Sequence, residues 1–317
     1  MKRVRYIINF LIDFFFKKKI ISLINAPQQY LSLVELIEKK KINIKELSIY
    51  IGYCSKSSQD QIKNLIKNYY PLNNFFFLRE IFSENIFLII LNFFKIFGRK
   101  KNIIAVGDYK YYLFKPIYRN SKNIIFLDEG ISLLTFNNIY KGNKNFELFS
   151  IFLHLVKNNN NLNEYTYLKK KFQDKIVKMK TIFILGTHLS SFEDILNKEL
   201  YIKKINSFAE KNIEFEILYI PHRNEKDFNK DVFFKNIKVQ TIDRPVELFL
   251  ADLHFLPERI AGFYSMALIN LSIILKNIKI LNLSLGDNAY NTTYHKKNFE
   301  EFKKIFNYMN IENINLQ

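Results

Sequence analysis

Residues 216–227 read EILYIPHRNEKD and residues 244–272 read RPVELFLADLHFLPERIAGFYSMALINLS, and the alternation of strand and helix inside these two pieces decides the fold. Phe215 to Ile220 reads as a buried strand. Pro221 stops it, so His222 and Arg223 fall in the loop at the strand's C-terminal end. In open α/β sheets ligands sit at that edge. In the second piece Gly262 precedes Ser265, Met266 and Ala267, which open an apolar helical stretch from Ala267 to Leu275. A helix start with little side chain around it holds an anion on its N–H groups and its dipole. A histidine, an arginine and such a helix start in consecutive strand-to-helix units point to a site for a phosphate-bearing ligand.

Outward from there the same alternation continues. Thr181 to Leu185, Val239 to Ile242 and Ile278 to Leu283 read as strands, with helices around Phe192 to Lys211 and from Val246 to Leu253. Towards the N-terminus, Ile20 to Ile24 is a strand broken by Asn25-Ala26-Pro27 before a helical pattern from Gln28 to Lys39. Leu47 to Tyr53 is a second strand, and the serines 55, 57 and 58 introduce a helix from Gln59 to Asn68. Asn102 to Val106 and Asn123 to Leu127 are two more strands, separated by a region of helical composition at Lys110 to Tyr118. Short apolar strands alternating with helices predict parallel sheets buried on both faces. Residues 157–180 are poor in core-forming residues and carry the domain boundary. The expected fold class is therefore α/β, two Rossmann-like domains facing across a cleft: a basic apolar segment 1–19, a first domain 20–156, a linker 157–180 and a second domain 181–317.

With 317 residues and 48% hydrophobic content the chain builds real cores. Its formal charge of +18, from 48 Lys and Arg against 30 Asp and Glu, calls for an anionic partner: nucleic acid, an anionic membrane face or an anionic substrate. A single cysteine, Cys54, excludes an intramolecular disulfide and a CxxC metal site and fits a reducing compartment. Two stretches combine apolar runs with basic flanks, Tyr6 to Lys19 and Asn85 to Lys101. The first has no cleavage site and is too short to span a bilayer. The second reads either as a core helix with a basic last turn or as a helix bedded in an anionic membrane interface. A nucleic-acid binder without chemistry is the competing class. Its aromatics, however, lie mostly inside apolar runs, and no RNP, helix-turn-helix or finger pattern is present.

Two acids, Asp128 and Glu129, end the strand Ile124 to Leu127 and are followed by Gly130, which lets the chain turn. One of them can serve as a general base; an acidic turn that solvates a strand end is the other reading. Gly186-Thr187-His188 follows a strand as a ligand-approaching glycine does, and Glu247 reads as a first-turn helix acid or a nucleotide contact. Taken in order, LDEG at 127–130, YIPHRNE at 219–225, PVE at 245–247 and GFYSMAL at 262–268 resemble the motifs of the bacterial sialyltransferases of the lipooligosaccharide and capsule polysialyltransferase families. NAPQQYLSLVE near Pro27 and the GTHLSS loop resemble the first turns of that family's two domains. The chain departs from the pattern at His222, preceded by Pro221 and followed by Arg223 where the family often has His-Pro, and at Ser265-Met266 where it has paired hydroxyls.

The resemblance implies a GT-B-like, inverting glycosyltransferase that moves sialic acid from CMP-sialic acid to a hydroxyl of a lipooligosaccharide or polysaccharide acceptor. The first domain would then serve the acceptor and the second the nucleotide sugar. It also implies catalytic Glu129, Asp128 and His222, with Gly130, Gly186, Thr187, Arg223, Glu247, Gly262, Tyr264 and Ser265 binding substrate. Inverting transfer needs a base for the acceptor proton and a cationic or hydrogen-bonding group on the departing phosphate. Glu129 is the preferred base, Glu193 the reserve, and His222, Arg223 and Ser265 meet the phosphate. No Asp-x-Asp motif stands at a strand end, so neither an obligatory metal nor another cofactor is expected. The expected setting is cytoplasmic, peripheral to the inner face of the cytoplasmic membrane, with an anionic membrane surface and no nucleic acid among the partners.

Overall fold

The computed structural model describes residues 20–72, 74–83, 86, 103–108, 110–114, 123–128, 146–152, 161–187, 198–223, 225, 237–284 and 293–315. The segment 1–19, the stretch 85–101 apart from Ile86, and Glu129, Gly130, His188 and Glu193 lie outside them. The chain divides into two compact units, residues 1–167 and 168–317.

In the N-terminal unit, strands β1 (Ile20–Ile24), β2 (Leu47–Ile51), β3 (Phe75–Phe77), β4 (Ile103–Val106), β5 (Ile124–Leu127) and β6 (Phe146–Phe149) form one sheet in the order β3-β2-β1-β4-β5-β6. All its described pairings are parallel. Every residue of β2 and β5 is buried, as a sheet covered on both faces requires. Helix α1 (Pro27–Lys40) starts where the sequence predicts, with Pro27 in its first turn and the Gln29 side-chain oxygen accepting from the Asn25 and Ala26 N–H groups at 2.7 and 3.2 Å. It buries Tyr30, Leu33 and Leu36 completely, each contributing about 1.5–3 kcal/mol of apolar burial. Helices α2 (Lys56–Asn68), capped by the Ser55 side chain on the Ser58 N–H, and α3 (Leu78–Ile81) follow. Within the stretch expected to be helical at 110–118, residues 112–114 form a turn. The Asp108 carboxylate accepts from the Lys110 and Tyr111 N–H groups, both at 2.9 Å, as a capping side chain does at the start of a helical turn.

After the short helix α4 (Thr166–Lys170), the C-terminal unit contains β7 (Ile176–Leu185), α5 (Lys198–Lys211), β8 (Glu216–Ile220), β9 (Lys238–Val239), α6 (Val246–Asp252), β10 (Phe255–Gly262), α7 (Met266–Ile274), β11 (Lys279–Ser284), α8 (Thr293–Tyr308) and β12 (Glu312–Asn315). Its sheet is again parallel, in the order β12-β11-β10-β7-β8-β9. The core beneath α5 packs Tyr201, Ile205 and Phe208 against Ile182, Ile184, Tyr219 and Phe263. Two differences from the sequence reading concern the middle of this sheet. β7 begins at Ile176, not Thr181, because its first half pairs with Phe255 to Pro257 at the start of β10, a strand the apolar pattern did not reveal. The register shifts between Pro257 and Arg259, and Lys180 takes a left-handed backbone with φ 53°. That bulge accommodates the proline, which has no N–H for the ladder.

Candidate functional site

In each sheet the strand order reverses direction once, and in α/β sheets such a switch point opens the crevice that takes a ligand. In the C-terminal unit the reversal lies between β7 and β10. β7 ends at Leu185 and leads into Gly186 and Thr187. β10 ends at Gly262 and leads through Phe263 and Tyr264 to Ser265 and α7. Gly186 and Gly262, two of the three glycines chosen from sequence, therefore flank the crevice. A Cβ on Gly262 would lie 3.2 Å from the Leu185 carbonyl oxygen, so the close pairing of the two strand ends depends on its absence. His222 and Arg223 follow the adjacent strand β8, His222 half-buried and Arg223 exposed.

The His222 loop is held by a residue to which the sequence reading gave no role. Glu225 is buried, and its carboxylate accepts from the His222 N–H at 2.8 Å, the Thr187 N–H at 3.2 Å and the Tyr219 hydroxyl at 3.1 and 3.0 Å. Burial raises its pKa to about 7, against the lowering effect of these bonds. Tyr219 in turn lies 3.1 Å from the Tyr201 hydroxyl, and burial pushes both phenols well above their usual range. A Cβ on Gly186 would run into the Glu225 carboxylate and lie 2.7 Å from the His222 nitrogen.

At the other side of the crevice Ser265 caps α7, its Oγ accepting from the Ala267 N–H at 3.2 Å, while the Leu268 N–H turns to the Ser265 carbonyl at 3.1 Å. This corrects the expectation of a near-bare helix start: a serine at the cap satisfies part of its own first turn. Tyr264 is in the left-handed region with φ 44°, strained for a side chain of that size. The Asn282 side chain on β11 holds it there, accepting from the Tyr264 N–H at 2.9 Å, and the Tyr264 hydroxyl is 3.3 Å from Ser284 Oγ. Glu247, in the first turn of α6, is buried and accepts from Asn270 of α7 at 2.8 Å; burial raises its pKa. Its carboxylate thus ties α6 to α7.

In the N-terminal unit the reversal lies between β1 and β4, and there the half-buried pair Asn25 and Asp108 meets, Asn25 donating to the Asp108 carboxylate at 2.9 Å. Asp128 follows β5, one strand away. It is buried, accepting from the Ile151 N–H at 3.1 Å and from the Asn163 amide at 2.9 Å, while its own N–H donates to Ser32 at 3.3 Å. Burial raises its pKa to about 6. These bonds make Asp128 a tie between β5, α1 and the chain after β6.

The two parallel six-stranded sheets recur in solved structures. S. aureus MnaA in its co-structure with UDP is similar over 84% of this chain and 79% of that one, at 11% identity and a TM-score of 0.50. This is the GT-B fold. A UDP-GlcNAc 2-epimerase of Methanocaldococcus jannaschii, in complex with UDP-GlcNAc and UDP, aligns over 83% of both chains at 12% identity and a TM-score of 0.48. A 2,6-sialyltransferase of a Photobacterium species, in a ternary complex with CMP and lactose, aligns over 93% of this chain and 78% of that one at 12% identity and a TM-score of 0.48. No protein-family model matches the chain, and no curated protein matches it in sequence. The sequence reading singled out Gly186, His222, Gly262 and Ser265 and gave no individual role to Glu225, Asn282, Asn25 or Asp108. Glu225 stands three residues after His222 inside a quoted motif, but nothing in the sequence distinguishes a buried acid from a solvated one.

Proposed function

We propose that the chain is an inverting glycosyltransferase that moves sialic acid from CMP-sialic acid to a hydroxyl of a cell-surface glycan, lipooligosaccharide or capsule polysaccharide. The observation that carries this reading is the set of motif residues around one switch point: Gly186 and Thr187 after β7, His222 and Arg223 after β8, Gly262 to Ser265 after β10. Their order along the chain resembles the sialyltransferase motifs, and their chemistry suits a departing nucleotide phosphate. His222 would protonate or hydrogen-bond that phosphate, with Arg223 adding charge. Ser265 keeps a hydroxyl proton to donate while its lone pair caps the helix, whose dipole favours the anion. The base that takes the acceptor proton is assigned to Glu129. Asp128 is assigned to holding the strand end that presents it, since its carboxylate is already bonded to Ile151 and Asn163. Glu247 is assigned to fixing the α6–α7 side of the nucleotide site.

A donor screen tests the reading. The purified chain should hydrolyse or transfer from CMP-sialic acid and leave UDP-sugars untouched, and EDTA should not abolish the activity. Turnover of a UDP-sugar in place of CMP-sialic acid would assign the site to another nucleotide-sugar transferase. Recovery after EDTA only with magnesium or manganese would move the phosphate charge from His222 and Arg223 to a metal.

A further inference from the structure

We propose that Glu225 is a positioning residue of this site, clasping the turn after β7 to the loop after β8 and so setting His222 at the crevice. The β7–β8 ladder runs from Thr181↔Glu216 to Leu185↔Ile220, and one further backbone bond, Gly186 N–H to Ile220 O at 2.8 Å, closes it. Beyond that bond the Glu225 side chain continues the connection, with one backbone N–H from each loop on a single carboxylate: Thr187 at 3.2 Å and His222 at 2.8 Å. The Tyr219 hydroxyl, rooted in the core of β8, bonds both oxygens and fixes the plane of the group.

The arrangement is specific in shape and in chemistry. The carboxylate occupies the space where a side chain at residue 186 would begin, so Gly186 and Glu225 are a matched pair. Three donors converge on it, and an ionised carboxylate is the side chain that offers only acceptors. A glutamine in its place, of equal size, would turn an NH2 towards one of those donors. The ionisable groups that face it are Tyr219 on β8 and Tyr201 on α5. Holding an acid here works against the 8% exposure of the site, which raises the pKa. A buried acid spent on two loop amides at a ligand edge is accounted for by what those loops hold in register.

The proposal rests on the phosphate-side role of His222, and two measurements separate it from that role. In the full-length chain, hydrogen exchange of the Thr187 and His222 amides should accelerate in Glu225→Gln while the amides of β7 and β8 stay protected. This readout needs no substrate. In turnover of CMP-sialic acid, Glu225→Gln should lower kcat by about tenfold to a hundredfold with little change in KM, as a small misplacement of a reacting group does. The same change in a His222→Ala background should cost less than about twofold, because its effect passes through the imidazole. Unchanged exchange at Thr187 and His222, or an equal loss in both backgrounds, would overturn the clasp. Loosened amides in a chain that never turns over CMP-sialic acid would uphold the clasp and sink the sialyltransferase reading.

Discussion

At the residue scale, the proposed function assigns different duties to two acids that lie side by side in the sequence, Asp128 and Glu129. Asp128 is buried among donors, and its carboxyl holds its proton to about pH 6 in the folded chain against 3.8 when solvated. Between those values the folded state binds more protons than the unfolded one, so this group stabilises the fold fully below pH 3.8 and the contribution is lost as pH rises through 6. Asp128→Asn should flatten that slope in denaturant titrations of the N-terminal unit between pH 4 and 6. Because the amide now faces donors with an NH2, it should also lower stability at pH 7 by about 1–3 kcal/mol. An unchanged slope would mean that the group is solvated and not the tie described. Glu129→Gln, by contrast, should leave stability and CMP binding near wild type and lower transfer. His222→Ala should slow both transfer and donor hydrolysis, on the order of a hundredfold. Full transfer activity in Glu129→Gln would send the search for the base to Glu193, and full activity in His222→Ala would remove the motif's claim to the phosphate.

At the element scale, what was legible in the sequence is what burial on both faces makes legible. β1, β2, β5 and β8 are short, mostly apolar runs, and their predicted and observed limits agree within two residues. β10 was not legible, although it is one of the two strands flanking the switch point. Pro257, Glu258 and Arg259 interrupt its apolar pattern, and the structure absorbs them with a register shift against β7. The first half of β7 was hidden for a related reason: Lys178 and Lys180 read as linker, yet the Lys178 ammonium lies over the Phe255 ring at 5.1 Å and pairs with Glu216 at 2.7 Å. Long cationic stems cover apolar surface that a pattern of residue types assigns to solvent. The helix starts were legible from hydroxyl caps, Ser55 for α2 and Ser265 for α7. The caps also predict a result. Ser265→Ala should cost about 1 kcal/mol of stability through the lost Ala267 bond. It should weaken CMP binding as well, measured by calorimetry, because the donor hydroxyl goes with the cap. Loss of stability with unchanged CMP affinity would confine Ser265 to capping.

For the whole molecule, the unabsorbed feature is charge. Acids number 30 against 48 Lys and Arg, so even complete pairing would leave 18 cations without an acid. Several acids are already engaged in surface pairs, Glu216 with both Lys178 and Lys238 at 2.7 Å and Glu312 with Lys279 at 2.7 Å. Exposed pairs of this kind contribute little to stability, so the excess has to be explained by what approaches the protein. The anionic donor and acceptor of the proposed function would account for part of the excess, but not for lysines and arginines gathered around apolar runs at 6–19 and 85–101. Among the described residues no helix is long and apolar enough to cross a membrane; for the two stretches, which apart from Ile86 lie outside them, the expectation from sequence is binding in an anionic interface. The full-length chain should therefore sediment with vesicles containing anionic lipid and be released as salt rises past about 0.15 M, where the screening length falls to about 8 Å. Removal of residues 1–19 should weaken that binding and leave turnover of a soluble donor and acceptor unchanged. Equal sedimentation with neutral vesicles would assign the attachment to apolar insertion alone, and no sedimentation with anionic ones would return the whole excess charge to the substrates.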